Sequence, residues 1–133
     1  LKVQKRNRYY CDFCGKSGGH AGYMRIHEKH CTKNPDRKCR MCRHLGEKQK
    51  PVDDLLAVLP GPFEKFSKNN DESYPDYLDR YRNACAEGLR RLRDLTGNCP
   101  MCILTAVRLS GADEVDFDFW AEREDAFAKA DGQ

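Results

Sequence analysis

Between Ser73 and Gly97, apolar residues recur every three or four positions: Tyr77, Leu78, Tyr81, Cys85, Leu89, Leu92 and Leu95. That spacing gathers them on one face and predicts an amphipathic helix. Ser73 can cap its start, Pro75 suits its first turn, and Gly97 falls just past its end. Cys85 lies on the apolar stripe and reads as a buried small hydrophobe. A shorter helix is predicted over residues 53–59, stopped by Pro60-Gly61-Pro62, and another over residues 103–109, closed by Gly111. Val115, Phe117 and Phe119 alternate with carboxylates, which predicts a half-buried strand with Asp116 and Asp118 on its solvent side. Residues 120–130 then read as a short helix that packs Trp120 and Phe127.

Upstream of residue 50 the apolar pattern thins and cysteine takes over. Three pairs have the C-x-x-C spacing: Cys11/Cys14, Cys39/Cys42 and Cys99/Cys102. Such a turn puts two thiolates on one side of a tight loop, where a tetrahedral zinc ion can take both. Disulfides are the other use of cysteine, but the pairs are C-x-x-C, a histidine follows on a predicted helix, and no secretory signal is read here. Reduced ligands in an intracellular, reducing compartment (cytoplasm or nucleus) are therefore expected.

Twelve residues separate Cys14 from His27, and three separate His27 from Cys31. A hairpin would present Cys11 and Cys14. A helix from about Ala21 would present His27 and Cys31 on one face. His30 is a rival fourth ligand, but its two-residue gap from His27 is short for that geometry. Residues 9–31 thus resemble the C2H2/C2HC zinc-finger family. The resemblance implies a ββα finger with Tyr9 and Met24 in its core and zinc on Cys11, Cys14, His27 and Cys31. It also implies base contacts from helix positions −1, 3 and 6, here His20, Tyr23 and Ile26. None of the three is the Arg, Asn or Gln that pairs with a base edge in two hydrogen bonds. The chain departs from the family at Gly18, where an aromatic core residue is usual, so the finger should lean on the rest of the protein. Residues 9–42 are also similar to small zinc proteins carried by phages, which would imply a host-takeover or anti-defence role.

The segment Thr32-Lys-Asn-Pro35 should end the finger helix, because Asn tolerates a left-handed backbone and Pro cannot continue the helix. Cys39/Cys42 and Cys99/Cys102 lie 56 residues apart in the chain and are expected to share a second zinc, clamping the intervening helix between them. Other groupings remain open: Cys11/Cys14 with Cys39/Cys42, leaving Cys99/Cys102 for His27 and Cys31. His44 is a reserve ligand. Cys99-Pro-Met-Cys102 at a helix start would also suit a redox dithiol, but the βαβ context of such enzymes is missing.

At 133 residues, 34% of them charged, the chain has a lean core and needs metal staples. The predicted fold is α+β, mostly α. A ββα finger (residues 1–35) packs on a small helical domain (residues 36–133) that carries the four-cysteine site, a short C-terminal strand and a helix. The net charge of +3 conceals an asymmetry: residues 1–50 hold 14 Lys/Arg against 4 Asp/Glu, residues 51–133 hold 10 against 17. A basic end favours an anionic partner. Lys2, Lys5, Arg6, Arg8, Lys16, Arg25 and Lys29 are the candidate phosphate contacts. No apolar run approaches a membrane span. No phosphate loop or Ser/His/Asp set is visible, and His27-Glu-Lys-His30 is not H-E-x-x-H. A His-Asn-His nuclease is not supported either, since its Asp-His and Asn-His elements are missing. The expected function is a non-enzymatic adaptor or inhibitor, stapled by two Zn2+, that docks on a protein. The alternative is a nucleic-acid-binding regulator using the basic end.

Overall fold

The fold is described for residues 1–131 of a computed structural model and is mostly helical. A two-stranded hairpin comes first: β1 (Tyr9–Tyr10) runs antiparallel to β2 (Ser17–Gly18), with Tyr9 opposite Gly18. Six helices follow: α1 (Ala21–His30), α2 (Arg40–Leu45), α3 (Val52–Leu56), α4 (Tyr74–Thr96), α5 (Pro100–Ser110) and α6 (Phe119–Asp131).

The chain builds two buried clusters. The small one is Cys11, Met24 and Cys31, with Cys14 packed against it. Met24 supplies the mass that Gly18 lacks: a Cβ at Gly18 would lie 3.6 Å from the Met24 methyl, in ordinary contact. Tyr9 is not a core residue as expected. It is 37% exposed, because a two-residue strand has no second layer to cover it. Helix α1 stops at His30, and not through a left-handed asparagine. The Asn34 side chain instead donates to the Glu28 carbonyl (2.7 Å), one of the carbonyls a helix end leaves unpaired, and accepts from the Asp36 amide (2.9 Å).

The large cluster surrounds α5, which touches α2, α3, α4 and α6. Ile103 and Ala106 of α5 are fully buried against Leu55 of α3, Leu92 of α4 and Ala126 of α6. Helix α4 has the predicted caps: Ser73 Oγ accepts from the Asp76 amide, Pro75 lies in the first turn, and Gly97 ends the helix in a left-handed conformation (φ 61°). Its buried line is Tyr81, Cys85, Gly88, Leu92 and Thr96. Gly88 is there for close approach. A methyl at this position would sit 2.7 Å from the Val58 carbonyl oxygen and 2.8 Å from Leu59 Cδ2. Gly88→Ala should therefore lower stability by about 1–3 kcal/mol through overpacking. The opposing gain in helix propensity is about 1 kcal/mol. The net loss is up to about 2 kcal/mol; thermal unfolding checks this, and a raised Tm would contradict the close approach.

Tyr81 is completely buried, and its hydroxyl serves two loops. It donates to the Gly61 carbonyl and accepts from the Asp113 amide at 3.1 Å. Phe63, Phe66 and Tyr77 close an aromatic box around it, with ring centroids 5.1 Å (Phe63) and 5.0 Å (Phe66) from Tyr81. The Arg80 guanidinium covers Phe66 at 4.5 Å. Burial pushes the Tyr81 phenol up to about 12, so it remains a donor throughout the physiological range.

The C-terminal segment differs from expectation. Residues 113–118 form no strand. Their alternation does set faces, with Val115, Phe117 and Phe119 half-buried and the carboxylates outward, but no neighbouring strand offers a ladder. Asp118 instead caps α6 by accepting from the Ala121 amide (3.2 Å). Phe127 packs on the core as expected, whereas Trp120 is 69% exposed at the first turn of α6. Arg93 of α4 pairs with Glu122 of α6 at 2.7 Å and helps to hold that helix down.

Candidate metal centres

Seven cysteines and one histidine converge as two groups of four, in each of which the ligand atoms lie within 4.8 Å of one another. All eight cysteines are free thiols.

The first group is Cys11, Cys14, His27 and Cys31. The hairpin supplies the first two through a knuckle closed by the Cys11 amide on the Lys16 carbonyl (2.8 Å), with Gly15 at φ 76°. The Phe13 amide points at Cys11 Sγ (3.4 Å). Helix α1 carries His27, whose Nε2 stands 3.3 Å from Cys14 Sγ, and Cys31 follows its last turn. Glu28 fastens the knuckle to the helix by accepting from the Asp12 amide (2.8 Å). His30 is not in the group: its Nδ1 lies 2.8 Å from the Lys38 carbonyl. Cys11 and Cys31 are buried; Cys14 and His27 are half-buried. Desolvation opposes a Cys14 thiolate. The hydrogen bonds from the Lys16 backbone, His27 and the neighbouring thiols of Cys11 and Cys31 outweigh it and draw Cys14 down to about 6. Burial drives Cys31 the other way, up to about 11.

The second group is Cys39, Cys42, Cys99 and Cys102, and all four are buried. Cys39 precedes α2 and Cys99 precedes α5, so both pairs meet the positive ends of helix dipoles, which favour thiolates. Sulfur separations are 3.5 Å for Cys39–Cys99 and 3.3 Å for Cys42–Cys102. A disulfide would need about 2.05 Å. A tetrahedral ion with arms of about 2.3 Å needs edges of about 3.8 Å, a few tenths more than these. The neighbouring thiols of Cys102, Cys42 and Cys99, together with the Cys42 amide that donates to Cys39 Sγ (3.3 Å), favour a Cys39 thiolate and hold it well below the usual thiol range.

Two supporting residues carry no sequence signal beyond membership of a polar, basic stretch. Gln49 bridges the entry to the second group: its Oε1 accepts from the Cys39 amide and its Nε2 donates to the Arg37 carbonyl, both at 2.7 Å. Arg37 itself is buried, and its guanidinium donates to Cys102 Sγ (3.3 Å).

The two groups are linked. The Lys38 amide donates to the Lys29 carbonyl (2.9 Å), and Arg108 of α5 reaches Thr32 Oγ1 (2.8 Å), next to Cys31. These contacts fasten the end of the hairpin–α1 segment to the helical part.

Each group can hold a metal ion, since four soft donors surround one point. Neither includes His44, which packs edge-on against Phe127 (5.2 Å). The candidate phosphate contacts are all exposed. Lys2, Lys5 and Arg6 lie in the first eight residues, which form no helix or strand, Arg8 donates to Ser17 Oγ, Lys16 sits in the hairpin turn, and Arg25 and Lys29 lie on α1. His20, Tyr23 and Ile26 also face out, Tyr23 75% exposed and Ile26 50% exposed, with the His20 ring edge-on to Tyr23 at 5.7 Å. Among the described residues, no helix is long and apolar enough to cross a membrane. No family model matches the chain, and neither a curated protein nor a solved structure does.

Proposed function

We propose that this chain is a non-enzymatic binding protein in which two structural zinc ions hold recognition surfaces in place. The observation that carries the reading is the pair of four-ligand groups. Thiolate-rich donor sets of this kind suit zinc. Four protein ligands per ion leave no coordination position for a reactive water, which argues against hydrolytic chemistry at either centre. Reduced thiolates fit an intracellular, reducing compartment.

The working surface is the zinc-finger segment, and its partner is a protein. The helix face that reads bases in the C2H2/C2HC family is here His20, Tyr23 and Ile26, an exposed apolar face without a bidentate base-pairing side chain. Exposed apolar residues grouped in this way suit a protein interface. A host-takeover or anti-defence role, which the phage resemblance implies, would be exercised through such docking. The double variant Tyr23→Asp/Ile26→Asp should keep its zinc and its circular dichroism yet lose its partner in affinity capture from native cells. Undiminished capture would move the interface elsewhere.

A second reading is favoured by charge. The seven exposed cations of residues 1–31 face only Asp12 and Glu28 in the same stretch, a net of +5. This surface would grip a phosphate backbone without reading sequence. Titration with generic duplex and single strands separates the readings. With about six phosphate contacts, affinity falls roughly a thousandfold between about 50 and 200 mM salt. The absence of binding at the lowest salt eliminates the second reading.

A further inference from the structure

Arg37 is an anomaly in electrostatic terms. It is 4% exposed, yet among the described residues no carboxylate lies within ion-pair distance of its guanidinium. Its one side-chain hydrogen bond runs from Nη2 to Cys102 Sγ at 3.3 Å. Burying a cation without a counter-charge costs several kcal/mol, so the anion must be near. Four thiolates around a divalent ion carry a net charge of −2, and all four of these cysteines are buried. The cation and the anionic centre therefore compensate one another. Gln49 fixes the pairing by tying the Arg37 carbonyl and the Cys39 amide to one side chain. The finger group has no such device. Its net charge with zinc would be −1, its Cys14 and His27 are half-buried, and solvent can screen it.

We infer that Arg37 is a positioning residue of the four-cysteine centre, the built-in counter-cation that retains its metal. The inference rests on the zinc reading above. A guanidinium N–H directed at Cys102 withdraws electron density from that sulfur. It thereby slows attack on that sulfur by electrophiles and holds the ligand in place. The donor is permanent, since an arginine in a protein does not deprotonate. Support around metal ligands of this kind is worth about 10- to 100-fold in metal affinity.

The test uses the full chain. Zinc content of the unmodified protein comes first: fewer than two ions per chain defeats the zinc reading itself. With two ions bound, Arg37→Met should weaken one by about 10- to 100-fold in competition with a chromogenic chelator and leave the other unchanged. Arg37→Lys, which keeps the charge, should recover part of that loss. In the cobalt-substituted protein, the sulfur-to-metal charge-transfer band should move to lower energy in Arg37→Met, because the freed thiolate is easier to oxidise. A purely structural role would leave that band in place. Should Arg37→Met fail to fold, limited alkylation of the unmodified protein decides. Cys102 should be the last of Cys39, Cys42, Cys99 and Cys102 to react. Equal alkylation of the four, or an Arg37→Met protein with unchanged metal affinity and an unchanged band, overturns the inference.

Discussion

If the two centres hold zinc as proposed, removing it is expected to unfold the protein. Four of the ten residues in the larger buried cluster are Cys39, Cys42, Cys99 and Cys102. Without metal these thiols are small, weakly packing groups. The guanidinium of Arg37 beside them would then be buried against neutral or partly protonated sulfur. The apparent binding free energy of a structural zinc is about 10–16 kcal/mol. The whole stability of a small domain is about 5–15 kcal/mol. The two ranges overlap, so the metal is worth as much as a whole small domain's stability, and the helical part should not outlast its ion. The expected result is two zinc ions per chain by elemental analysis, and loss of the helical circular dichroism signal with a strong chelator under reducing conditions. Full helical signal in the metal-free protein would refute the argument. So would one zinc accompanied by a Cys99–Cys102 disulfide.

The second large effect is an inequality between the two centres. Cys99→Ser should unfold most of the chain, whereas Cys11→Ser should melt the hairpin and α1, the segment read above as a finger, and leave α4 and α5 in place. The physical reason is the division of the buried side chains. Cys99 sits in the cluster that joins α2, α3, α4, α5 and α6. Cys11 shares its cluster with Met24, Cys31 and Cys14 alone. The joins between the parts are polar and local: Lys38 to Lys29, His30 to Lys38, and Arg108 to Thr32. Hydrogen bonds of this kind contribute about 0.5–1.5 kcal/mol each. That is enough to orient the finger and too little to bring the helices down with it. Amide dispersion by NMR, residue by residue, gives the readout. Equal collapse in both variants would mean that the finger is an integral part of the core.

Much of this was legible because metal coordination imposes strict spacing. Cys11, Cys14, His27 and Cys31 are separated by counts that only a knuckle and a helix can satisfy. Helix α4 was legible for a similar reason, since Ser73, Pro75 and Gly97 each satisfy a backbone requirement within a residue or two. The C-terminal segment shows the limit. Alternation at 113–119 reports which side chains turn inward, and it did so correctly for Val115, Phe117 and Phe119. It cannot report whether another strand is available to accept the hydrogen bonds. Trp120 was placed inside by residue type and Tyr9 by the zinc-finger resemblance, but their positions at a helix start and on a two-residue strand have no layer above them. Gly88 and Arg37 were invisible because their partners, Val58 and Cys102, lie 30 and 65 positions away in the chain, and Gln49 because its bridge to Arg37 and Cys39 forms only when the loop after α2 folds back. The Tyr81 box of Phe63, Phe66 and Tyr77 was hidden for the same reason, as its two halves meet only when the 60–66 loop folds back on α4.

The separation of Cys39/Cys42 from Cys99/Cys102 has a consequence for synthesis. The 56 intervening residues emerge from the ribosome over roughly 3–11 s at about 5–20 residues per second. Throughout that interval the nascent chain exposes one complete knuckle that has no mate. The finger ligands are already all outside, within a span of 21 residues from Cys11 to Cys31. Metal should therefore load in sequence, first on the finger and then on the clamp. For those seconds the unpaired Cys39/Cys42 dithiol is the point at which an oxidant or a competing metal can divert folding.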